Sequence, residues 1–219
     1  MQIELPSGTP AELAIPPASA LRGLVIAPDV GGLRPLFADL VERLSRENTW
    51  AVCAVEPYPD QADLGLQDRL AGSIDHARLR ADLEAAADEL TARAGVERVA
   101  VLGFCMGGMV AYRAAGTGRF DRAASFYGMI RPPAQWSEAG NDPLDALAST
   151  DACPTLAICG GQDRWTPAED IDALRALSSR VTVHVYPDAD HGFVHDPSRP
   201  AHRAKDAADA WGWVIDFLA

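Results

Sequence analysis

The chain has no apolar run near the ~18 residues that a membrane-spanning helix needs. Its apolar stretches are strand-sized, such as Trp50–Val55. It also lacks a basic excess: Lys and Arg total 19 against 31 Asp and Glu, a formal net charge of -12. So acidic a surface repels phosphate backbones and anionic lipid, so neither nucleic acid nor a membrane is an expected partner. No two of the four cysteines, Cys53, Cys105, Cys153 and Cys159, have CxxC spacing. No Cys/His cluster has the spacing of a zinc site, and neither a metal nor an organic cofactor is suggested. The opening MQIELPSGTP carries neither the basic nor the apolar segment of a secretory signal. A cytoplasmic protein with reduced thiols is therefore expected. Internal repeats and low-complexity tracts are absent.

What remains is the make-up of an ordinary globular chain. Hydrophobic residues are 48% and charged residues 23% of 219, enough for a full core in one domain spanning residues 1–219. Ile3–Pro17 reads as a short strand or hairpin around Pro6-Ser7-Gly8. Apolar strands are expected at Leu21–Pro28, Trp50–Val55, Val99–Gly103, Ala123–Tyr127, Thr155–Cys159 and Val181–Tyr186. Helical spacing marks Pro35–Glu47, His76–Ala94 ending at Gly95, a segment running to Ala115, Pro167–Ser178 and Ala204–Leu218. Glu56–Ser73 and Arg131–Ala152 read as irregular.

Strands that alternate with helices predict an α/β fold: a mostly parallel sheet covered on both faces. Ligands in such sheets bind at the carboxyl ends of the strands. Asp29, Cys105, Asp163 and His191 each follow a predicted strand by a few residues. Four reactive side chains thus fall on one edge of the sheet.

Gly103-Phe104-Cys105-Met106-Gly107 matches glycine, any residue, nucleophile, any residue, glycine between a strand and a helix. Such a turn is sharp and lifts the nucleophile out of the sheet. Its glycines are required where a side chain would strike neighbouring backbone. The helix that follows favours a thiolate at its N-terminus and offers an N–H to an oxyanion. Taken alone the pattern is weak, because a small buried cysteine beside a glycine turn looks the same. The order nucleophile, acid, histidine is what a hydrolytic triad on this kind of sheet requires, and Cys105, Asp163 and His191 supply it. Asp163 could instead cap a helix, although Thr166 before Pro167 is the better cap candidate. Of the five histidines, His191 stands directly after a strand; His76 and His202 lie on polar segments and are expected to be exposed, and His184 alternates within a strand.

With those residues assembled, the chain resembles the dienelactone hydrolase (carboxymethylenebutenolidase-like) family of the α/β-hydrolase fold. The matching pieces are Gly103 to Gly108, Gly161-Gln162-Asp163, Asp190-His191-Gly192-Phe193 and the tail from Ala207 to Leu218. The resemblance implies hydrolysis of a small ester or lactone through an acyl-enzyme on Cys105, with the backbone N–H groups of Met106 and Val30 as the oxyanion hole. It implies a monomer or weak homo-oligomer acting on a small molecule. It also places an acid in contact with the resting thiol, here Asp29 instead of the usual Glu, so the contact is expected to be longer or water-bridged. Where the family uses an arginine for a substrate carboxylate, this chain has His195. Arg69, Arg78 or Arg80 could supply a second such group, and His195, Arg80 and Phe104 are the candidates for substrate contact. Two other readings compete: a DJ-1- or amidotransferase-like cysteine enzyme, for which the Asp-then-His order is wrong, and an inactive ligand-binding relative, against which the complete Cys/Asp/His set speaks.

Overall fold

A computed structural model describes every residue except Ala62 and Ser178. Eight strands form one sheet: β1 (Gln2–Glu4), β2 (Pro10–Ala14), β3 (Gly23–Ala27), β4 (Ala51–Val55), β5 (Val99–Phe104), β6 (Ala123–Phe126), β7 (Thr155–Gly160) and β8 (Val181–Tyr186), in the order β1-β2-β4-β3-β5-β6-β7-β8. Strands β3 to β8 run parallel, and the β1–β2 hairpin adds antiparallel to β4. The α/β expectation holds. Every residue of β3 to β7 is buried. That explains why these segments read as continuous apolar runs: a parallel strand covered on both faces has no polar side to alternate with. Strand β8 is the sheet edge, and its side chains are mostly half-buried.

Helix α1 (Pro35–Asn48) starts on a proline whose missing N–H costs nothing in the first turn, and it buries Phe37, Leu40, Val41 and Leu44 along one stripe. Helix α3 (His76–Ala94) is capped by Asp75, whose carboxylate accepts the Arg78 N–H at 3.0 Å, and ends on Gly95 at φ +67°. Helix α4 (Met106–Ala115) is buried along its whole length. Helices α6 (Ala168–Ala176) and α7 (Ala204–Leu218) complete the long elements. The expected end of the sixth helix at Ser178 lies outside the described residues. No described helix is long and apolar enough to cross a membrane.

Three local expectations need correction. The stretch 56–73 holds a short helix α2 (Leu66–Ala71), and 131–152 holds a 3-10 turn (Ala134–Trp136) and helix α5 (Pro143–Ala148). Each is too short for a helical period to show; α5 forms because Asp142 accepts the Leu144 N–H at 2.8 Å, Pro143 presets the first turn, and Leu147 is buried. Thr166 caps nothing: helix α6 starts after Pro167, and the Thr166 hydroxyl is buried without a partner among the described residues. His76 and His202 are half-buried, not exposed; the Arg113 guanidinium donates to the His76 Nδ1 at 2.9 Å, which no sequence pattern signals.

Alternation along β5 divides the two faces. Gly103 points at α4, while Phe104 points the other way and packs with Phe126, Phe37 on α1 and Trp211 on α7. The sheet thus lies between α3 and α4 on one side and α1 and α7 on the other, with its carboxyl edge left to loops.

Candidate active site

At the end of β5 the backbone turns through Cys105 at φ 58° and ψ −117°, a conformation that L side chains rarely adopt. The flanking glycines are sterically fixed. A Cβ on Gly103 would stand 1.9 Å from the Gly107 carbonyl oxygen, and one on Gly107 would stand 2.0 Å from that of Ala27. Both obstacles are backbone and cannot give way. The Cys105 N–H donates to the Phe126 carbonyl at 3.0 Å, which ties the turn to the end of β6. Met106 opens α4, and Val30 follows β3 at the neighbouring strand end, so both N–H groups expected of an oxyanion hole belong to turns that flank the sulfur. Cys105 itself is 9% exposed.

The structure brings Cys105, His191 and Asp163 together. The His191 Nδ1–H donates to Asp163 Oδ2 at 2.7 Å, and Cys105 lies close enough to the same imidazole to raise its pKa. The other Asp163 oxygen accepts the Trp165 N–H at 2.8 Å, so this buried carboxylate also closes the turn after β7. Asp163 caps no helix, since α6 starts after Pro167 with no side-chain cap. The loop after β8 is braced by Asp190, which accepts the His191 N–H at 2.6 Å. A cleft opens beside His191, lined by Arg164, Trp165, Asp188, Asp190 and Arg199.

Electrostatics sets the state of His191. Burial disfavours its charged form, but hydrogen bonds with Asp163 and Cys105, and the charges of both, outweigh burial and raise its pKa from 6.5 to about 10. A raised folded pKa contributes stability that is complete below the unfolded value and is lost as pH climbs through the folded one. On its own, His191 thus loses its contribution as pH climbs toward about 10. Above about pH 9 a second cause adds to it: burial pushes Cys53 and Cys159 to about 12 and Cys153 to about 11, so these thiols stay protonated where the unfolded chain would ionise. The urea midpoint should fall between about pH 8.5 and 10, where His191 and the buried thiols keep protons that the unfolded chain has lost, and it should fall less in an Asp163→Asn variant.

Four expected contacts are corrected. Asp29 is buried, but its carboxylate is taken by other donors: Gly31 N–H at 2.8 Å, Arg34 NH1 and NH2 at 2.7 and 2.8 Å, and His195 Nε2–H at 2.7 Å. None of these is the thiol. Burial alone would raise the Asp29 pKa; the hydrogen bonds from His195 and Arg34, with the positive charge of Arg34, hold it well below the usual carboxylate range. His195, expected to meet substrate, has a side chain 1% exposed and both ring nitrogens engaged, Nε2 with Asp29 and Nδ1 with the Tyr127 hydroxyl. Phe104 is 0% exposed on the opposite face of β5. Arg80 is exposed on α3 beside His76, Arg113 and Asn141 and does not line the cleft at His191, because the helix turns Leu79 and Leu83 inward and Arg80 away. Of the three arginines considered, Arg69 stands beside the Asp29–Gly32 turn. It donates to the Gly31 carbonyl at 3.0 Å and to Gln61 at 3.1 Å, near Glu56 and over the Tyr58 ring. Arg78 pairs with Asp60 and Asp82.

Tyr127 and Arg34 were not anticipated. Tyr127 follows β6 at φ 42°, sets its ring edge-on to His191 with centroids 5.1 Å apart, and is fully buried. Its one sequence signal is an aromatic residue at a strand end, which is common. Arg34 lies in the turn before α1, where a basic residue ordinarily faces solvent.

A sequence profile of the dienelactone hydrolase family matches residues 10–219. A candidate carboxymethylenebutenolidase of Salmonella typhimurium is 30% identical over 225 residues, covering 96% of this chain and 82% of that protein. A similarly named protein of Escherichia coli is 30% identical over 208 residues, covering 89% and 75%. Among solved structures, a candidate dienelactone hydrolase of Klebsiella pneumoniae superposes with a TM-score of 0.88 at 24% identity, covering 100% of this chain and 97% of that one.

Proposed function

This chain belongs to the dienelactone hydrolase family and is a hydrolase of ester or lactone bonds, and on that premise we propose that it works through Cys105 as nucleophile, His191 as acid and base, and Asp163 as the group that orients His191. The observation that carries the proposal is the Asp163–His191 hydrogen bond, which holds the imidazole beside a cysteine raised on a sterically enforced turn. Asp163 fixes the proton on Nδ1 and turns Nε2 toward the sulfur.

His191 keeps a proton near neutral pH, and in the proposed mechanism the sulfur beside it reacts as thiolate. The thiolate attacks the substrate carbonyl carbon, and the carbonyl electron pair moves onto oxygen. That oxyanion is received by the N–H groups of Met106 and Val30. Collapse breaks the bond to the alcohol or ring oxygen, which takes the proton from His191 and leaves a thioester on Cys105. The now neutral His191 takes a proton from water as its oxygen attacks the thioester. The carboxylate product departs, and the sulfur and imidazolium are restored.

The substrate is a small ester or lactone, hydrolysed by a single-domain protein of the cytoplasm acting as a monomer or weak homo-oligomer. Iodoacetamide tests the nucleophile. Cys53, Cys153 and Cys159 are buried and their thiols are held protonated. At neutral pH, Cys105 should take the label at least ~10-fold faster than any of them, and hydrolysis of p-nitrophenyl acetate should disappear in step with that labelling. Full hydrolysis by protein stoichiometrically alkylated at Cys105 would rule the mechanism out.

A further inference from the structure

The Asp29 carboxylate accepts four hydrogen bonds, two per oxygen, and they come from three different places. Gly31 N–H closes Asp29 onto its own turn, which the Gly32 N–H bond to the Asp29 carbonyl at 2.9 Å tightens further. Arg34 grips both oxygens from the start of α1. His195 reaches the same carboxylate from the other side of the site, 166 positions away in sequence. Because the carboxylate can only accept, His195 carries its proton on Nε2, and its bare Nδ1 accepts the Tyr127 O–H. His191, four residues earlier in the same loop, carries its proton on the opposite nitrogen, facing Asp163. Every polar atom of this buried group is thereby satisfied, as low-dielectric surroundings require.

We infer that Asp29 and His195, with Arg34 behind them, are positioning residues that lock the turn presenting the Val30 N–H to the loop presenting His191. The inference rests on Cys105 being the nucleophile. The turn from Asp29 to Gly32 contains Val30, and the loop from Pro187 to Arg203 contains His191; the Asp29–His195 pair joins the two. Its ring contacts reinforce the placement: His195 packs on Phe104 and Phe37, and Tyr127 lies between His195 and His191. Both ring nitrogens of His195 are occupied, so it acts through the residues it holds and touches no substrate.

Loss of the pair should loosen the oxyanion donor while leaving Cys105, His191 and Asp163 in contact. The two can be separated experimentally, because alkylation of Cys105 by iodoacetamide needs the thiolate but no oxyanion hole, whereas ester hydrolysis needs both. In Asp29→Asn and in His195→Ala, kcat for p-nitrophenyl acetate should fall about 30-fold with KM changed less than about threefold. Cys105 alkylation should stay within about threefold of the wild-type rate. His195→Gln, whose amide N–H can still reach Asp29, should recover most of kcat. Wild-type kcat in both Asp29→Asn and His195→Ala would overturn the inference, and so would a parallel loss of hydrolysis and alkylation, which marks a general structural failure. Should His195→Ala not fold, Asp29→Asn and His195→Gln decide the matter by the same comparison. Failure of the nucleophile itself looks different: the alkylated wild type would then retain hydrolysis.

Discussion

Cys105→Ala is expected to lower kcat/KM for ester hydrolysis by roughly 10⁵-fold, with the fold unchanged. The size follows from what the variant keeps. The oxyanion donors at Met106 and Val30, the cleft and His191 all remain, and in enzymes with a comparable triad those leave only a small residue of catalysis. No other side chain of this site can replace a sulfur that the turn holds at φ 58°. Alanine fits the elbow, since it is smaller than cysteine, so circular dichroism and the urea midpoint near pH 6.5 should match the wild type closely. Cys105→Ser is the informative companion. It restores an oxygen at the position of the sulfur, but His191 must then take a proton from a much weaker acid, so little of the activity returns. Steady-state hydrolysis of p-nitrophenyl acetate measures both, and full activity in Cys105→Ala would remove the nucleophile from the proposal.

Asp163→Asn is expected to cost about 10³-fold in kcat, near 4 kcal/mol of transition-state stabilisation. The reasoning is a count of donors and acceptors. One Asp163 oxygen accepts the Trp165 N–H and the other the His191 Nδ1–H. An asparagine side chain has one acceptor and one donor group. If its oxygen stays on Trp165, its NH₂ faces Nδ1, which must then give up its proton. The imidazole proton moves to Nε2, on the side of Cys105, where it can no longer draw the thiol proton away. The hydrogen bond to an anionic Asp163 and its charge, two of the contributions that raise the His191 pKa, are lost as well. Two readouts should move together: the acid limb of the kcat/KM profile, and the rate of Cys105 alkylation near neutral pH, which should slow. An Asp163→Asn enzyme with wild-type kcat and wild-type labelling would show that Asp163 serves only to cap the turn.

The parts of this site that were readable in sequence are those where chemistry forces a pattern. Burial on both faces makes a parallel strand a continuous apolar run, so the ends of β5 and β7 could be placed, and the edge strand β8 showed through its alternating Val181, Val183 and Val185; with these ends came Cys105, Asp163 and His191. The crowding at Gly103 and Gly107 is backbone against backbone, so it leaves glycines in the sequence. The rest was illegible for equally physical reasons. Asp29, Arg34 and His195 are single polar residues in loops, and which of them meet depends on how the loops after β3 and β8, two strands that are not neighbours in the sheet, come together. The resemblance assigned Asp29 to the thiol and His195 to the substrate. Each finds the other instead, with His195 Nε2 2.7 Å from the carboxylate that Arg34 grips from the same turn. Arg80 failed on helix phase, since Leu79 and Leu83 claim the inward stripe of α3. The helices α2 and α5 failed on length.

The strand order has a further consequence, for the making of the protein. The proposed nucleophile lies in the middle of the chain, and its partner His191 is encoded 86 residues later (191 minus 105). At roughly 5–20 residues per second, the ribosome delivers Cys105 some 4 to 17 seconds before the histidine that activates it. Strands β7 and β8 and the loops that follow them are also made in that interval. The three residues of the proposed triad can therefore meet only after the final strand has docked on the sheet.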